Sequence, residues 1–236
     1  MFDRRLIEHF DWGFLLLIMI IGSCGLMILY SAVMAGWDGS GLHYLFEKQL
    51  VWMGAGFVVM VSILLVDFRN LDKLNLAIYA VCVGLLVCVY FFGQTGGGAR
   101  RWLTLGPVSI QPSELMKIAL IISLASLYAT RISPEGLNFR SLVKPAVLCV
   151  IPVGLIVIQP DLGTGLMLLL IAGSITLFVK VEKKVLLTLG ALGGSIIPLV
   201  WIAGLKEYQK ARILTFLDPD RDPLGTGYHI IQSKIA

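Results

Sequence analysis

The stretch Gly96-Gly97-Gly98-Ala99-Arg100-Arg101-Trp102 sets two guanidiniums and an indole directly behind a glycine run. A planar guanidinium fork matches phosphate oxygens, an indole suits a sugar face or a headgroup layer, and glycine frees the backbone that carries them. The same residue types also make an interfacial anchor, a Trp with snorkelling arginines, and spacing alone does not separate the two readings. The run lacks the GxGxxG and Walker spacings, so no nucleotide fingerprint is present.

Two further stretches begin with Gln-Pro and then present an acid. In Gln111-Pro112-Ser113-Glu114-Leu115-Met116-Lys117 the proline suits a first helical turn, and Glu114 compensates the positive end of the helix dipole. Lys117 follows three residues later on the same helical face. A lysine at bilayer depth costs roughly 2.5–3.5 kcal/mol on insertion scales, so it needs a polar cavity or a carboxylate. The other stretch, Gln159-Pro160-Asp161-Leu162-Gly163-Thr164, reads as a tight turn between apolar runs. If the two helices pack side by side, Glu114, Lys117 and Asp161 form one polar cluster. Two carboxylates flanking an amine can activate a hydroxyl, hold a divalent cation or bind a polar headgroup. The structural alternatives are an ion pair between Glu114 and Lys117 that fixes helix register, and a turn or cap role for Asp161.

The elements that position these residues must lie in lipid. With 57% hydrophobic and only 14% charged side chains in 236 residues, the chain cannot keep its apolar surface out of water as a soluble domain. Seven runs approach the roughly 20 apolar residues a spanning helix requires: Trp12 to Ala35, Leu50 to Val66, Leu74 to Gly93, Ser113 to Ala129, Leu142 to Ile158, Thr164 to Val179 and Val185 to Gly204. The fold class expected is an all-α polytopic membrane protein, one membrane domain over residues 1–236. It comprises a cytoplasmic interfacial segment at 1–11, a seven-helix bundle at 12–204 and the start of a large extracytoplasmic loop at 205–236.

Charge sets the orientation. Arg4 and Arg5, Arg69 and Lys73, Arg131, Arg140 and Lys144, and Lys180, Lys183 and Lys184 mark alternate connections, which the positive-inside rule makes cytoplasmic together with the N-terminus. The connections at Gly36 to Lys48, Gln94 to Pro112 and Gln159 to Gly163 then fall outside. The net charge of +4 is spread over loops, which is not the pattern of a nucleic-acid face, and no nucleic-acid partner is expected.

The remaining features are bland. Trp12 to Ala35 is too long for a signal-peptide core and reads as a retained first helix; Ile21-Gly22-Ser23-Cys24 only faintly resembles a lipoprotein cleavage box. Phe2, Leu6 and Phe10 at spacing four make Phe2 to Asp11 a candidate interfacial helix. Cys24, Cys82, Cys88 and Cys149 sit singly in apolar runs, without disulfide or metal-ligand spacing, and read as packing residues. The stretch from Arg212 to Pro219 and the Gly225 to Lys234 segment read as an ordered loop that ends in an amphipathic element.

Taken together, GGGARRWLTLGPVSIQPSELMKIAL, QPDLGT and the stretch from Arg212 to Ala236 resemble the SEDS family of cell-wall proteins (shape, elongation, division and sporulation), its RodA branch more than its FtsW branch. The resemblance implies a SEDS-type bundle in the bacterial cytoplasmic membrane. It implies a peptidoglycan glycosyltransferase that polymerises lipid II into glycan strands at the outer face, for cell elongation and rod shape, and releases undecaprenyl pyrophosphate. The implied partners are lipid II, the growing glycan strand, membrane lipid and a class B penicillin-binding protein that cross-links the strands. No cofactor is evident, although a divalent cation (Mg or Mn) is compatible with the family.

Carried onto this sequence, the resemblance gives Glu114, Lys117 and Asp161 supporting catalytic roles. Arg100, Arg101, Trp102, Arg212 and Gln232 bind substrate. Family members continue beyond a Tyr-x-x-x-Gln-Ser-x-Ile-Ala segment, and the aspartate usually taken as principal base is expected beyond Ala236. Two rival readings follow from the residues: a lipid-linked precursor transporter, because charges inside a bundle also mark transport paths, and an inactive truncated scaffold that binds the transpeptidase. A polymerase gathers its polar groups at outer helix ends, whereas a carrier places them near midplane.

Overall fold

The computed structural model describes residues 10–35, 43–64, 68–96, 99–105, 108–130, 136–205, 207–218 and 228–235. The candidate interfacial helix at residues 2–11 lies almost wholly outside the described residues, as do Arg4, Arg5 and Arg131. The chain divides into two compact units, Met1–Asn70 and Leu71–Ala236.

The first unit holds α1 (Trp12–Ala35) and α2 (His43–Leu64). They pack antiparallel: Tyr30 meets Phe46 edge-on at 5.4 Å, and a Cβ on Gly22 would lie 3.3 Å from the methyl of Met53. The Met53 side chain therefore packs over the bare backbone at Gly22. The second span begins seven residues before the expected Leu50. The reason is that His43 to Lys48 is polar enough to leave the hydropathy run yet helical in backbone. Lys48, expected in a loop, stands on α2 with its ammonium 5.6 Å from the Tyr44 ring centre, an attractive cation–π position.

The second unit is built on α3 (Phe68–Phe92), which begins at the boundary between the units, α4 (Pro112–Ala129), α5 (Phe139–Ile158) and α6 (Leu162–Phe178). Beyond the first turn, the buried residues of α4, Met116, Ala119, Leu120, Ser123, Leu124 and Tyr128, follow the three-to-four-residue spacing that one inward stripe of a helix requires. They pack on Leu86 of α3, Ile156 of α5 and Leu168 of α6. Lipid supplies no hydrophobic drive between helices, so close packing and interhelical hydrogen bonds must hold the group together. Asn75 Nδ2 donates to Ser126 Oγ at 2.6 Å, and the hydroxyls of Tyr128 and Thr176 pair at 2.8 Å. Pro152 lacks the N–H that would close a helical bond on Leu148, and the Tyr79 hydroxyl donates to that carbonyl at 2.8 Å instead.

Six described helical stretches are long and apolar enough to cross a membrane: Trp12–Met34, Tyr44–Leu64, Leu71–Phe92, Pro112–Ala129, Phe139–Ile158 and Lys183–Ile202. The seventh expected span, α6, is an apolar helix of 17 residues, about 26 Å at 1.5 Å per residue. The last span runs from α7 (Lys183–Leu199) into a π-helical turn at Val200–Gly204, just after Pro198 removes a helix donor. Beyond it come α8 (Glu207–Leu217) and α9 (Tyr228–Ile235), where a loop was expected over most of the stretch. Residues 219–227 of that stretch lie outside the described residues.

The connection at Gln94 to Pro112 is a second departure from expectation. Instead of a glycine-rich loop it forms a three-stranded antiparallel sheet, β1 (Gln94–Gly96), β2 (Ala99–Leu105) and β3 (Val108–Ile110), in that order. The alternation Arg101-Trp102-Leu103-Thr104-Leu105, then Gly106-Pro107 and Val108-Ser109-Ile110, is a hairpin pattern that the glycine run obscures. Strand β2 lies against α4.

Candidate functional site

The sheet and four helix ends, those of α3 and α5 and the starts of α4 and α6, converge at one end of the second unit. Gln159, the C-cap of α5, is buried and donates from Nε2 to the Leu86 carbonyl of α3 at 2.9 Å. That bond ties the turn before α6 to the outgoing half of α3. One residue past Pro160, Asp161 is the N-cap of α6 and is only 3% exposed.

The Asp161 carboxylate divides its two oxygens. Oδ1 accepts from the Thr164 amide at 3.4 Å, which is the cap bond, and Oδ2 accepts from the Thr164 hydroxyl at 2.8 Å. Oδ2 also faces Arg101, whose Nε lies 3.3 Å away. The approach is a charge contact without hydrogen-bond alignment, because Arg101 Nε is buried and has no hydrogen-bond partner.

Strand β2 explains how Arg101 gets there. Gln94 pairs with Trp102 and Thr95 with Arg100, so the two strands lose register and Arg101 has no residue opposite it. Such a bulge re-aims a side chain. Exposure alternates along the strand: Arg100, Trp102 and Thr104 are exposed, while Arg101 and Leu103 are half-buried. The three residues expected to bind substrate together are thus split, Arg101 turned to Asp161 and Arg100 with Trp102 outward.

Glu114 and Lys117 form the second charged pair. Both lie in the first two turns of α4, and Lys117 Nζ is 2.7 Å from Glu114 Oε2. Glu114 is exposed and Lys117 half-buried. At the site, the ion pairs seen among the described residues are Arg101 with Asp161 and Lys117 with Glu114, and Lys117 makes none with Asp161. The cap reading of Asp161 and the ion-pair reading of Glu114 with Lys117 are both observed. Arg212 is on α8, with its side chain outside the described set, and Gln232 is exposed on α9.

A divalent cation does not fit these residues. Each of the two carboxylates already faces a cation, and among the described residues no group of three His, Cys, Asp or Glu side chains gathers. What the arrangement offers is positive charge and oriented donors at one end of a helix group, which is chemistry suited to an anion. Thr164 and Gln159 were not singled out in the sequence. Their roles depend on contacts with Asp161 and Leu86 that spacing alone does not show, although an Asp just before an apolar run is itself a cap signal.

These features define a polytopic helical membrane protein with a charged site where a small sheet meets helix ends. The chain belongs to the FtsW/RodA/SpoVE family of cell cycle proteins, whose family model matches residues 11–236. It is 35% identical over 230 residues to the peptidoglycan glycosyltransferase MrdB of Escherichia coli strain K12, covering 97% of this chain and 60% of that protein. It is 29% identical to the probable peptidoglycan glycosyltransferase FtsW of Bacillus subtilis strain 168, covering 99% of this chain and 61% of that protein. The chain therefore spans about 60% of the length of the curated relatives it matches.

Two solved structures share the fold. One, a chain in a peptidoglycan synthase complex that coordinates polymerization and crosslinking, aligns with a TM-score of 0.78 at 32% identity, covering 97% of this chain and 65% of that one. The rod shape determining protein RodA of Thermus thermophilus aligns with a TM-score of 0.63 at 29% identity, covering 78% of this chain and 59% of that one.

Proposed function

We propose that this protein is a peptidoglycan glycosyltransferase that polymerises lipid II at the outer face of the bacterial cytoplasmic membrane, in cell elongation. The observation that carries the reading is the Arg101–Asp161 pair at a helix end, on a chain with relatives named for that activity. Charge distribution supports the outward orientation. Lys73, Arg140, Lys144, Lys180, Lys183 and Lys184 all lie at the ends of α3, α5, α6 and α7 opposite the site, which the positive-inside rule makes cytoplasmic along with the N-terminus.

In the reaction, an acceptor sugar hydroxyl attacks the anomeric carbon of the donor. The new glycosidic C–O bond forms as the C–O bond to pyrophosphate breaks, and the hydroxyl proton passes to a base. Arg101 meets the developing charge on the departing pyrophosphate with its donor fork. Lys117, oriented by Glu114, adds a second cation. Asp161 holds Arg101 in place and is itself fixed as a helix cap. Arg100 and Trp102, exposed on β2, suit the headgroup sugars or the lipid surface, and Arg212 and Gln232 belong to the same substrate path. The cross-linking partner in this reading is a class B penicillin-binding protein.

The test is strand synthesis from labelled lipid II by the purified protein, carried out on this chain and on the chain extended to the length of its relatives. Glycan ladders from the extended protein support the reading. Transfer of lipid II between leaflets without any strand product replaces it with a transporter.

A further inference from the structure

A helix cap needs one carboxylate oxygen, and Asp161 Oδ1 serves the cap by accepting the Thr164 amide. The other oxygen, Oδ2, accepts the Thr164 hydroxyl at 2.8 Å, and this is the same atom that Arg101 Nε approaches at 3.3 Å. A carboxylate with free acceptor sites next to an arginine normally closes on it in a fork-to-fork pair with two parallel N–H···O bonds. Here that closure has not occurred: Arg101 is half-buried against Asp161, yet its Nε makes no hydrogen bond. The carboxylate holds the guanidinium by charge, while the Thr164 hydroxyl takes one acceptor position on Oδ2, the oxygen that the guanidinium approaches.

We propose that Thr164 is a positioning residue: by occupying Asp161 Oδ2 it stops Arg101 from closing on Asp161 and keeps the guanidinium donors available to an anionic ligand. The ligand's identity, a lipid-linked pyrophosphate, rests on the polymerase reading above. Without the hydroxyl, Asp161 turns to accept from Arg101, the fork rotates inward, and anion binding weakens although both charged residues remain.

The experiment measures the affinity of the purified protein, at the length of its relatives, for lipid II in nanodiscs, together with strand synthesis and thermal melting. Thr164→Val keeps the β-branched shape and removes the hydroxyl; Thr164→Ala is a second hydroxyl-free variant should the valine protein not fold. Either weakens binding about tenfold, and Thr164→Ser stays within about twofold of the unsubstituted protein. In an Arg101→Ala background Thr164→Val changes affinity by less than about twofold, because its effect runs through Arg101. Equal losses with and without the Arg101 side chain, or no loss while Arg101 is present, overturn the proposal and leave Thr164 as part of the cap alone. Lipid II binding with these dependences but without strand synthesis upholds the role of Thr164 and overturns the polymerase reading. If the folded unsubstituted protein binds no lipid II, both fall.

Discussion

Arg101 and Asp161 stand 3.3 Å apart as an ion pair, but the arginine Nε nearest the carboxylate makes no hydrogen bond. The contact joins a bulged strand to a helix N-terminus, so it fixes the position of the sheet as well as the charge. It also separates two contributions of Asp161, which are a cap for α6 and a counter-charge for Arg101.

Those contributions are separable by substitution. Asp161→Ala removes both and lowers stability by roughly 3 kcal/mol. Asp161→Asn keeps a side-chain acceptor for the cap and is expected to lose about half as much. Thermal unfolding in detergent orders the two variants, and equal losses contradict the division.

Lys117 and Glu114 sit at an accessible helix start, where an i, i+3 pair adds less than about 1 kcal/mol. Lys117→Met is therefore expected to melt near the unsubstituted protein while lowering strand synthesis more than about a hundredfold. Unchanged synthesis makes Lys117 a packing feature.

Tyr79 serves the carbonyl that Pro152 leaves without a helical partner. Tyr79→Phe is expected to destabilise by about 1–2 kcal/mol, since an unpaired carbonyl in the bilayer has no water to turn to. In a Pro152→Ala background residue 152 supplies an N–H, and the same change is expected to have less than half the effect. A double-mutant cycle on melting checks this, and additive losses contradict it.

Within α4 and α6 the packed face and the outer face differ. Leu124 is 0% exposed and Leu170 56% exposed. Leu124→Ala is expected to cost about 2 kcal/mol through lost interhelical packing, and Leu170→Ala less than about 0.5 kcal/mol because lipid replaces the contact. Comparable losses in unfolding experiments would mean that Leu170 also packs against protein.

Much of this architecture is readable from residue type alone. Trp12–Ala35 is found with the expected ends, and α4 starts at Pro112, one residue before the apolar run, because proline suits the first turn. Hydropathy misplaces α2, whose first turns carry His43, Glu47 and Lys48, since it reports solvent preference and not backbone state. The sheet is hidden for a similar reason: Gly96 to Gly98 read as loop, although the alternation in β2 carries a strand signal. At the site, the candidate residues were legible as expensive charges in lipid, but their pairing was not. Arg101 and Asp161 are sixty positions apart, and helix packing, the bulge in β2 and the bond from Gln159 to Leu86 bring them together.

The most direct test of the polymerase reading is glycan synthesis from labelled lipid II by the purified protein at the length of its relatives. The expected result is a ladder of glycan strands with release of undecaprenyl pyrophosphate, strongly reduced in Lys117→Met protein that melts normally. A folded, unsubstituted protein that yields no strands contradicts it.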